Sequence, residues 1–357
     1  MKIFLRKDFF FGCLFLAILF IGQALVDRNA GIDDHFSILN GLGVALVLAA
    51  WSYSCHGWGR LFFRAMKAKQ VFTGEGLLMG FGVTACFGIL FAHLGLVGSD
   101  YRFIFWTYTC VGFMFAAPPR IKQLRVFALE TKGALAPALL LLALGLLLFV
   151  NLLQFRQFED VHVYHLFAPF QWWRNGGVFF DPDTPNLFSS STWEYLHFWA
   201  FAFLSQSPGT GLVGVQFFGQ FLHGIIAVSL FCIILGSLLK KLGIKSPWRF
   251  AAIAAAVSIE SILWTAFHAK NDFAAICFIF AALLRLTSYQ APNSLNKNYY
   301  VTGIYIGLAI AVKLTSLNAL PFLLLIWWSR IPGKFPRFES FAKVSLSNPV
   351  NSESAAS

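Results

Sequence analysis

Residues 133–153 read GALAPALLLLALGLLLFVNLL, a run of 21 residues without a charged side chain. As one α-helix this run would be about 31 Å long at 1.5 Å per residue, which matches the hydrocarbon thickness of a bilayer. A surface helix of a soluble protein keeps polar residues on one face, whereas this run is apolar all round. The segment therefore predicts a transmembrane helix.

The composition of the whole chain agrees with this interpretation. Hydrophobic residues make up 58% of the 357 residues and charged residues only 12%, against about 25% charged residues in soluble domains. The net charge of +11 comes from clusters between apolar runs, as in the cytoplasmic loops of membrane proteins, so we exclude nucleic acid as a partner. The six cysteines lie in apolar runs without metal-ligand spacing, and they predict no disulfide framework. The composition predicts an all-α, polytopic integral membrane protein.

Other apolar segments predict further spans. The segment 301–329 would be about 43 Å long as one helix, with Lys313 near its middle. It therefore predicts two short helices that meet between Lys313 and Asn318, with Pro321 just after the break. The total is nine or ten transmembrane helices. Besides 133–153, the predicted spans are 9–26, 37–55, 75–97, 103–119, 210–239, 248–267, 272–289 and the broken segment 301–329.

The segment 193–207, WEYLHFWAFAFLSQS, is apolar but has only 15 residues, which is short for a full crossing. It predicts an interfacial or re-entrant helix, because Trp and Tyr favour the headgroup boundary. By the same argument Trp172, Trp173 and Trp193 are predicted to be boundary anchors.

Basic clusters set the predicted orientation, because Lys and Arg are retained on the cytoplasmic side. If every predicted span crosses once, three clusters fall on the side of the N-terminus and most acids on the other side. The sequence therefore predicts a multi-pass protein of the cytoplasmic (inner) membrane with an acidic outer face. The clusters are Arg60, Arg64, Lys67 and Lys69; Arg120, Lys122, Arg125 and Lys132; and Lys240, Lys241, Lys245 and Arg249.

The same pattern predicts three regions. Residues 1–132 form an N-terminal membrane extension of about four helices, and residues 133–330 form a membrane core with a large outer loop at 154–209. Residues 331–357 are polar and Ser-rich and predict a disordered cytoplasmic tail.

Ionisable residues gather at the predicted outer face. Carboxylates there can act as a general base or hold a divalent metal, and lysines can offset the charge of a phosphate. His162 and His165 are three residues apart and can converge on one helix face, which permits a metal site without specifying one. Each group also has a simpler interpretation, as a polar hairpin turn, a snorkelling lysine or an interfacial histidine. The groups are EDVHVYH at 159–165, Glu194, Lys270 and Asp272 in FHAKNDFAA at 267–275, and Lys313 in GLAIAVKLTSL at 307–317.

These motifs resemble a known family in their order along the chain. EDVHVYHLFAPFQWWRNGG at 159–177 is followed by a Trp-Glu pair, then by AKNDFAA and GLAIAVKLTSL. Over residues 135–330 this order is similar to membrane glycosyltransferases of the type C fold, in particular bacterial relatives of protein O-mannosyltransferases and aminoarabinose transferases. Four spans precede the acidic loop here, whereas the family usually has one.

The resemblance implies transfer of a sugar from a polyprenyl-phosphate carrier to an acceptor at the outer face of the membrane, with inversion at the anomeric carbon. Asp160 would then be the catalytic base or the group that orients the acceptor, with Glu159 as its neighbour. The acceptor is unidentified, and a membrane protein partner and a divalent metal are further expectations. The other implied contacts are Lys270 and Lys313 to the phosphate, and Tyr164, Glu194, Asp272, His162 and His165 to sugar, substrate or metal.

A rival interpretation is a transporter or flippase of a lipid-linked or small polar substrate, in which Glu260 and Lys313 would line a path. The sequence shows no inverted repeat between its halves, and its charges gather at one surface rather than at the midplane. Both features favour the glycosyltransferase.

Overall fold

The computed structural model describes residues 2–28, 38–72, 74–117, 135–152, 165–179, 191–204, 211–259, 265, 271–288 and 295–329. These ranges are largely helical and contain no strand, which confirms the predicted all-α fold. The chain divides into two compact units, Met1–Ser316 and Leu317–Ser357.

The described helices of the first unit are α1 Lys2–Arg28, α2 Ile38–Ala65, α3 Glu75–His93, α4 Arg102–Phe115, α5 Leu135–Leu152, α6 Phe167–Asn175, α7 His197–Leu204, α8 Gly211–Phe221, α9 Val228–Lys241, α10 Ser246–Ser258, α11 Asp272–Ser288 and α12 Leu295–Val312. A π-helical segment, Leu222–Ala227, joins α8 to α9. In the second unit, the described helix is α13 Leu320–Ser329.

Helices lie within or overlap each predicted span, but their bounds differ from the predicted ones in several places. Among the described residues, 75–93 and 213–241 are long and apolar enough to cross a membrane, and four shorter apolar helices lie at 10–26, 135–147, 298–312 and 314–328. The total of nine or ten crossings and the division of the chain at residue 132 stay predictions.

Helix α2 is longer than predicted. The apolar run ends near residue 55, but the helix continues to Ala65 and includes Arg60 and Arg64. The Arg60 Nη1 atom donates a hydrogen bond of 3.0 Å to the carbonyl oxygen of Phe115, the last residue of α4. A cation near helix C-termini is favourable. The charged residues therefore end the apolar run without ending the helix.

Glycines allow α2 to approach two helices at once. A Cβ atom at Gly57 would overlap the carbonyl oxygen of Gly112 in α4, and one at Gly59 would overlap that of Gly76 in α3. Small residues of this kind let membrane helices pack backbone against backbone. Gly57 and Gly59 thus set the distances from α2 to α3 and α4.

Residues 193–204, the described part of the predicted interfacial or re-entrant segment 193–207, are buried among other helices. Residues Thr192–Leu196 form a 3-10 turn that continues directly into α7, and every residue of α7 is at most 2% exposed. An interfacial helix would keep one polar face in water, whereas this segment is apolar all round and lies among other helices. A re-entrant helix stays compatible with its length.

The predicted boundary tryptophans are also core residues. Trp172, Trp173 and Trp193 are 1%, 7% and 1% exposed. Trp172 stacks on Tyr195 at 4.9 Å between ring centroids, and Trp173 stacks on Phe201 at 5.9 Å. Burial of large aromatic area against other rings outweighs the preference of Trp for the headgroup boundary here.

The predicted break near Lys313 is confirmed. Helix α12 ends at Val312, and a 3-10 turn, Leu314–Ala319, follows Lys313. The position of this break decides where the Lys313 side chain lies.

A buried polar network joins α3, α11 and α12. The Arg285 guanidinium pairs with the Glu75 carboxylate, and both side chains are fully buried. It also donates to Asn298 Oδ1 at 3.0 Å and to the carbonyl oxygen of Lys69 at 2.8 Å. Tyr305 donates a hydrogen bond of 3.2 Å to Glu75. Each charged group therefore has several partners, as buried charges require.

Candidate functional site

Four of the predicted site residues fall within the described part of the chain. These are His165, Glu194, Asp272 and Lys313. The others lie outside the described residues, so their predicted roles stay predictions: Glu159, Asp160, His162, Tyr164 and Lys270.

Glu194 is held in a buried turn. The sequence Ser191–Glu194 forms a capping box at the start of the 3-10 turn, in which the Ser191 N–H donates to Glu194 Oε2 at 2.9 Å. Such a box satisfies backbone donors that a helix start leaves open. The other carboxylate oxygen, Oε1, lies 2.5 Å from Nδ1 of His165. The Glu194 carboxyl therefore ties His165, near the start of α6, to the turn before α7.

The Glu194–His165 pair is dry. Glu194 is 1% exposed and His165 is 5% exposed. Burial raises the pKa of the Glu194 carboxyl well above its ordinary value, and the hydrogen bonds from Ser191 oppose this only in part. A carboxyl with a raised pKa in such a site can share a proton with the imidazole. The Glu194 carboxyl can therefore orient the His165 ring and share a proton with it. An exposed carboxylate would not hold a proton in this way.

Asp272 and Lys313 form a second pair at the surface. Asp272 begins α11, where a carboxylate is favoured by the helix dipole, and its Oδ1 atom accepts a hydrogen bond from Lys313 Nζ. The two side chains are 30% and 39% exposed. Exposed ion pairs are weak because water competes for both charges. Lys313 can therefore leave Asp272 for a stronger anion.

The two pairs meet at the C-terminal end of α12. The carbonyl oxygen of Ala311 accepts a hydrogen bond of 3.0 Å from Thr192 Oγ1. The carbonyl oxygen of Val312 accepts a hydrogen bond of 3.2 Å from Asn271 Nδ2. The last carbonyl oxygens of a helix have no hydrogen-bond donor within the helix. Here Thr192 and Asn271, which lie close in sequence to Glu194 and Asp272, donate to them. We call these two hydrogen bonds the α12 clamp, which brings Glu194, Asp272 and Lys313 into one region.

The described residues do not form a metal centre. Within the ranges that the structure describes, no three His, Cys, Asp or Glu side chains converge as metal ligands. The Nδ1 atom of His165 is bonded to Glu194 instead. Since His162 lies outside these ranges, the predicted metal stays a prediction, and no step below depends on it.

Two histidines of the site were missed by the sequence analysis. His197 and His223 are 0% and 1% exposed, and the His223 ring lies 6.1 Å from the ring of Trp193, four residues before His197 in the chain. His223 lies in the π-helical segment, a feature often found at functional sites. The run FFGQFLHGIIAV at 217–228 carries the signal, because an ionisable residue inside a membrane span is by default a functional candidate.

Comparison with known families adds one finding to this geometry. Residues 195–332 match the model of Glycosyltransferase family 87. The match covers less than half of the chain, and it includes His197, His223, Asp272 and Lys313 but not the acidic loop at 159–160. No curated protein and no solved structure matches the chain.

The match to Glycosyltransferase family 87 agrees with the predicted activity at the level of the class. The chain is an all-α membrane protein with a region similar to glycosyltransferases. The nearer resemblance to O-mannosyltransferases and aminoarabinose transferases stays a prediction.

Proposed function

We propose that the protein transfers a sugar from a polyprenyl-phosphate carrier to an acceptor hydroxyl at the outer face of the cytoplasmic membrane. The observation that carries this proposal is the family match over 195–332, since that region contains the Asp272–Lys313 pair at the α12 clamp. A lysine in a partly exposed ion pair is available to a phosphate, which accepts charge-assisted hydrogen bonds from an ammonium.

The proposed reaction is a displacement at the anomeric carbon. Asp160 takes the proton of the acceptor hydroxyl, and the hydroxyl oxygen attacks the anomeric carbon. The bond from that carbon to the phosphate oxygen breaks, and the polyprenyl phosphate leaves with the electron pair. Lys313 and Lys270 offset the negative charge that develops on the phosphate. The buried Glu194–His165 pair holds the start of α6 against the turn before α7.

Direct assay of transfer tests this function. The purified protein in lipid nanodiscs is supplied with polyprenyl-phosphate sugars and envelope glycans from a deletion strain, and mass spectrometry follows the gain of one sugar by the acceptor. Transfer that needs the protein supports the proposal. Movement of the intact carrier across the bilayer without any glycosylated product would favour the rival transporter or flippase.

Opposite changes at one ion pair give a sharper prediction. Lys313→Gln should weaken donor use by about 1.5 to 3 kcal/mol, since a charge-assisted hydrogen bond to the phosphate is lost. Asp272→Asn should strengthen donor binding, because the carboxylate no longer competes for Lys313. The KM for the donor measures both effects.

Arg174→Gln is the matched control, since Arg174 is an exposed cation at the end of α6. It should leave the KM unchanged. Equal KM values for wild type, Lys313→Gln and Asp272→Asn would remove Lys313 from the donor site.

Sidedness provides an independent prediction. In a background with all six cysteines changed to alanine, Ser99→Cys and Asn175→Cys should react with an impermeant thiol reagent added outside intact cells. Gln70→Cys and Lys241→Cys should react only after the membrane is opened. All four positions are exposed, so accessibility within the protein does not bias the comparison. Outside labelling of 70 and 241 with protection of 99 and 175 would reverse the orientation and contradict the outward active face.

A further inference from the structure

A buried cluster next to the Glu194–His165 pair has polar atoms without partners. Among the described residues, no hydrogen-bond partner is found for His197 Nε2, for either ring nitrogen of His223, or for Trp193 Nε1. All three residues are at most 1% exposed. Leaving such groups unsatisfied in a dry interior is costly. Buried groups of this kind take hydrogen-bond partners from ordered water or from another molecule.

The hydrogen bond of His197 Nδ1 determines whether its other ring nitrogen, Nε2, donates or accepts. Its Nδ1 atom lies 2.9 Å from the backbone carbonyl oxygen of Glu194. A carbonyl oxygen only accepts, so Nδ1 carries the hydrogen. Burial lowers the pKa of His197 to about 4, so the ring is neutral near pH 7. Its Nε2 atom is then an acceptor that needs a donor.

The other members of the cluster add complementary groups. The Trp193 indole N–H is a donor, and the ring nitrogens of His223 can donate or accept a hydrogen bond. The Trp193 and His223 rings are 6.1 Å apart in an edge-to-face arrangement. Phe81 and Phe278 contact the same indole at 5.5 and 6.2 Å between centroids. The cluster thus combines neutral donors and acceptors with aromatic walls.

This chemistry distinguishes between ligand classes. A phosphate would favour Lys or Arg side chains, whereas this cluster consists of two imidazoles and an indole. A metal ion would need several ligands aimed at one point, and the described His, Cys, Asp and Glu side chains contain no such group. A hydroxyl both donates and accepts, so it can give its hydrogen to His197 Nε2 and accept one from Trp193 or His223. Neighbouring hydroxyls on a ring present this pattern repeatedly.

We propose that Trp193, His197 and His223 form a binding subsite for the hydroxyl groups of a neutral sugar ring. This inference rests on the proposed function for its biological ligand, and it assigns to these three residues the recognition of the sugar rather than of the phosphate. The family match begins at residue 195 and includes both histidines. His223 lies in the π-helical segment Leu222–Ala227, and such segments are frequent at functional sites.

Binding of free glycosides tests the subsite without any catalysis. The probes are the methyl α-glycosides of glucose, mannose and galactose, each added to the full-length protein in nanodiscs and followed by saturation-transfer difference NMR. At least one glycoside should bind saturably to wild type. His223→Leu and His197→Leu should each weaken that binding by about fivefold or more, because each removes a hydrogen-bonding group.

Two further variants separate recognition from general damage. His223→Asn keeps one donor and one acceptor and should retain most of the binding. His93→Leu is the matched control, since His93 is exposed and bonded within its own helix, and it should bind as wild type. His223→Leu removes buried polar atoms, so its unfolding temperature should be equal to or above that of wild type. A lower unfolding temperature together with unchanged glycoside binding would make the cluster purely structural.

The outcomes for this subsite and for the transfer activity are distinct. If no glycoside binds to wild type, or if His223→Leu and His197→Leu bind as wild type does, the subsite is refuted while transfer dependent on Lys313 can still stand. Loss of glycoside binding in the variants of a protein that transfers no sugar would support the subsite and refute the proposed reaction.

Discussion

Replacing Asp160 by asparagine is expected to lower sugar transfer by about 10²- to 10⁴-fold, the usual contribution of a general base. Asparagine keeps the size and most of the hydrogen bonding of aspartate but cannot take a proton. Folding, membrane insertion and donor binding should therefore stay close to wild type. Single-turnover transfer measures the chemical step, and a donor-binding assay in nanodiscs separates it from affinity.

The neighbouring acid is the matched control for this variant. Glu159→Gln should have a milder effect, because one carboxylate of an adjacent pair is expected to face the reacting hydroxyl. Size exclusion in detergent checks that both variants are intact. Near-normal transfer by Asp160→Asn with an inactive Glu159→Gln would give the role to Glu159. Near-normal transfer by the double variant would contradict a catalytic role for either acid.

Arg285→Met is expected to destabilise the protein by about 3–5 kcal/mol, the usual cost of removing one partner of a buried ion pair. The change would leave the Glu75 carboxylate in a dry interior with Tyr305 and the backbone N–H of Val71, which lies 2.5 Å away. Asn298 would lose its guanidinium donor as well. Thermal unfolding in detergent should show a clearly lower midpoint and a lower yield of folded protein.

A second substitution at Glu75 tests whether the uncompensated charge causes this loss. Glu75→Gln combined with Arg285→Met removes both charges and should recover part of the stability, since replacing a whole buried pair is often nearly neutral. Arg174→Met is the control, because it removes an exposed arginine. A midpoint for Arg285→Met equal to that of wild type would show that the pair contributes no stability.

The sequence predicted those features that depend on length and charge alone. The break at Lys313 follows from a segment too long for one crossing that carries a lysine in its middle, and the structure has the break at that residue. The sequence assigned Glu194, Asp272 and Lys313 to one outer face, which stays a prediction, while the α12 clamp joins residues next to Glu194 and Asp272 to the end of the helix before Lys313. The hydrogen bonds of the α12 clamp were not predictable, because they join residues 119 and 41 positions apart.

Burial explains the other differences between prediction and structure. An apolar segment with Trp and Tyr has the same composition whether it lies at a membrane surface or among helices, so the burial of residues 193–204 could not be predicted from their composition. The roles of His197 and His223 depend on which neighbours their rings meet. A lone histidine in an apolar run signals that a role exists, but its spacing does not identify its partners.

The glycine contacts of α2 have a consequence for where the protein can move. Where peptide groups touch across Gly57 and Gly59, no side-chain rotamers are available to rearrange, and little rotamer entropy was lost when these helices packed. Helices joined in this way are expected to shift as one rigid body. Adjustment during a reaction cycle would then fall at interruptions of regular helix, namely the π-helical segment at His223 and the non-helical residue Lys313. Hinges at these two positions would lie at the proposed sugar subsite and the proposed phosphate contact, while α2, α3 and α4 form the fixed frame against which they turn.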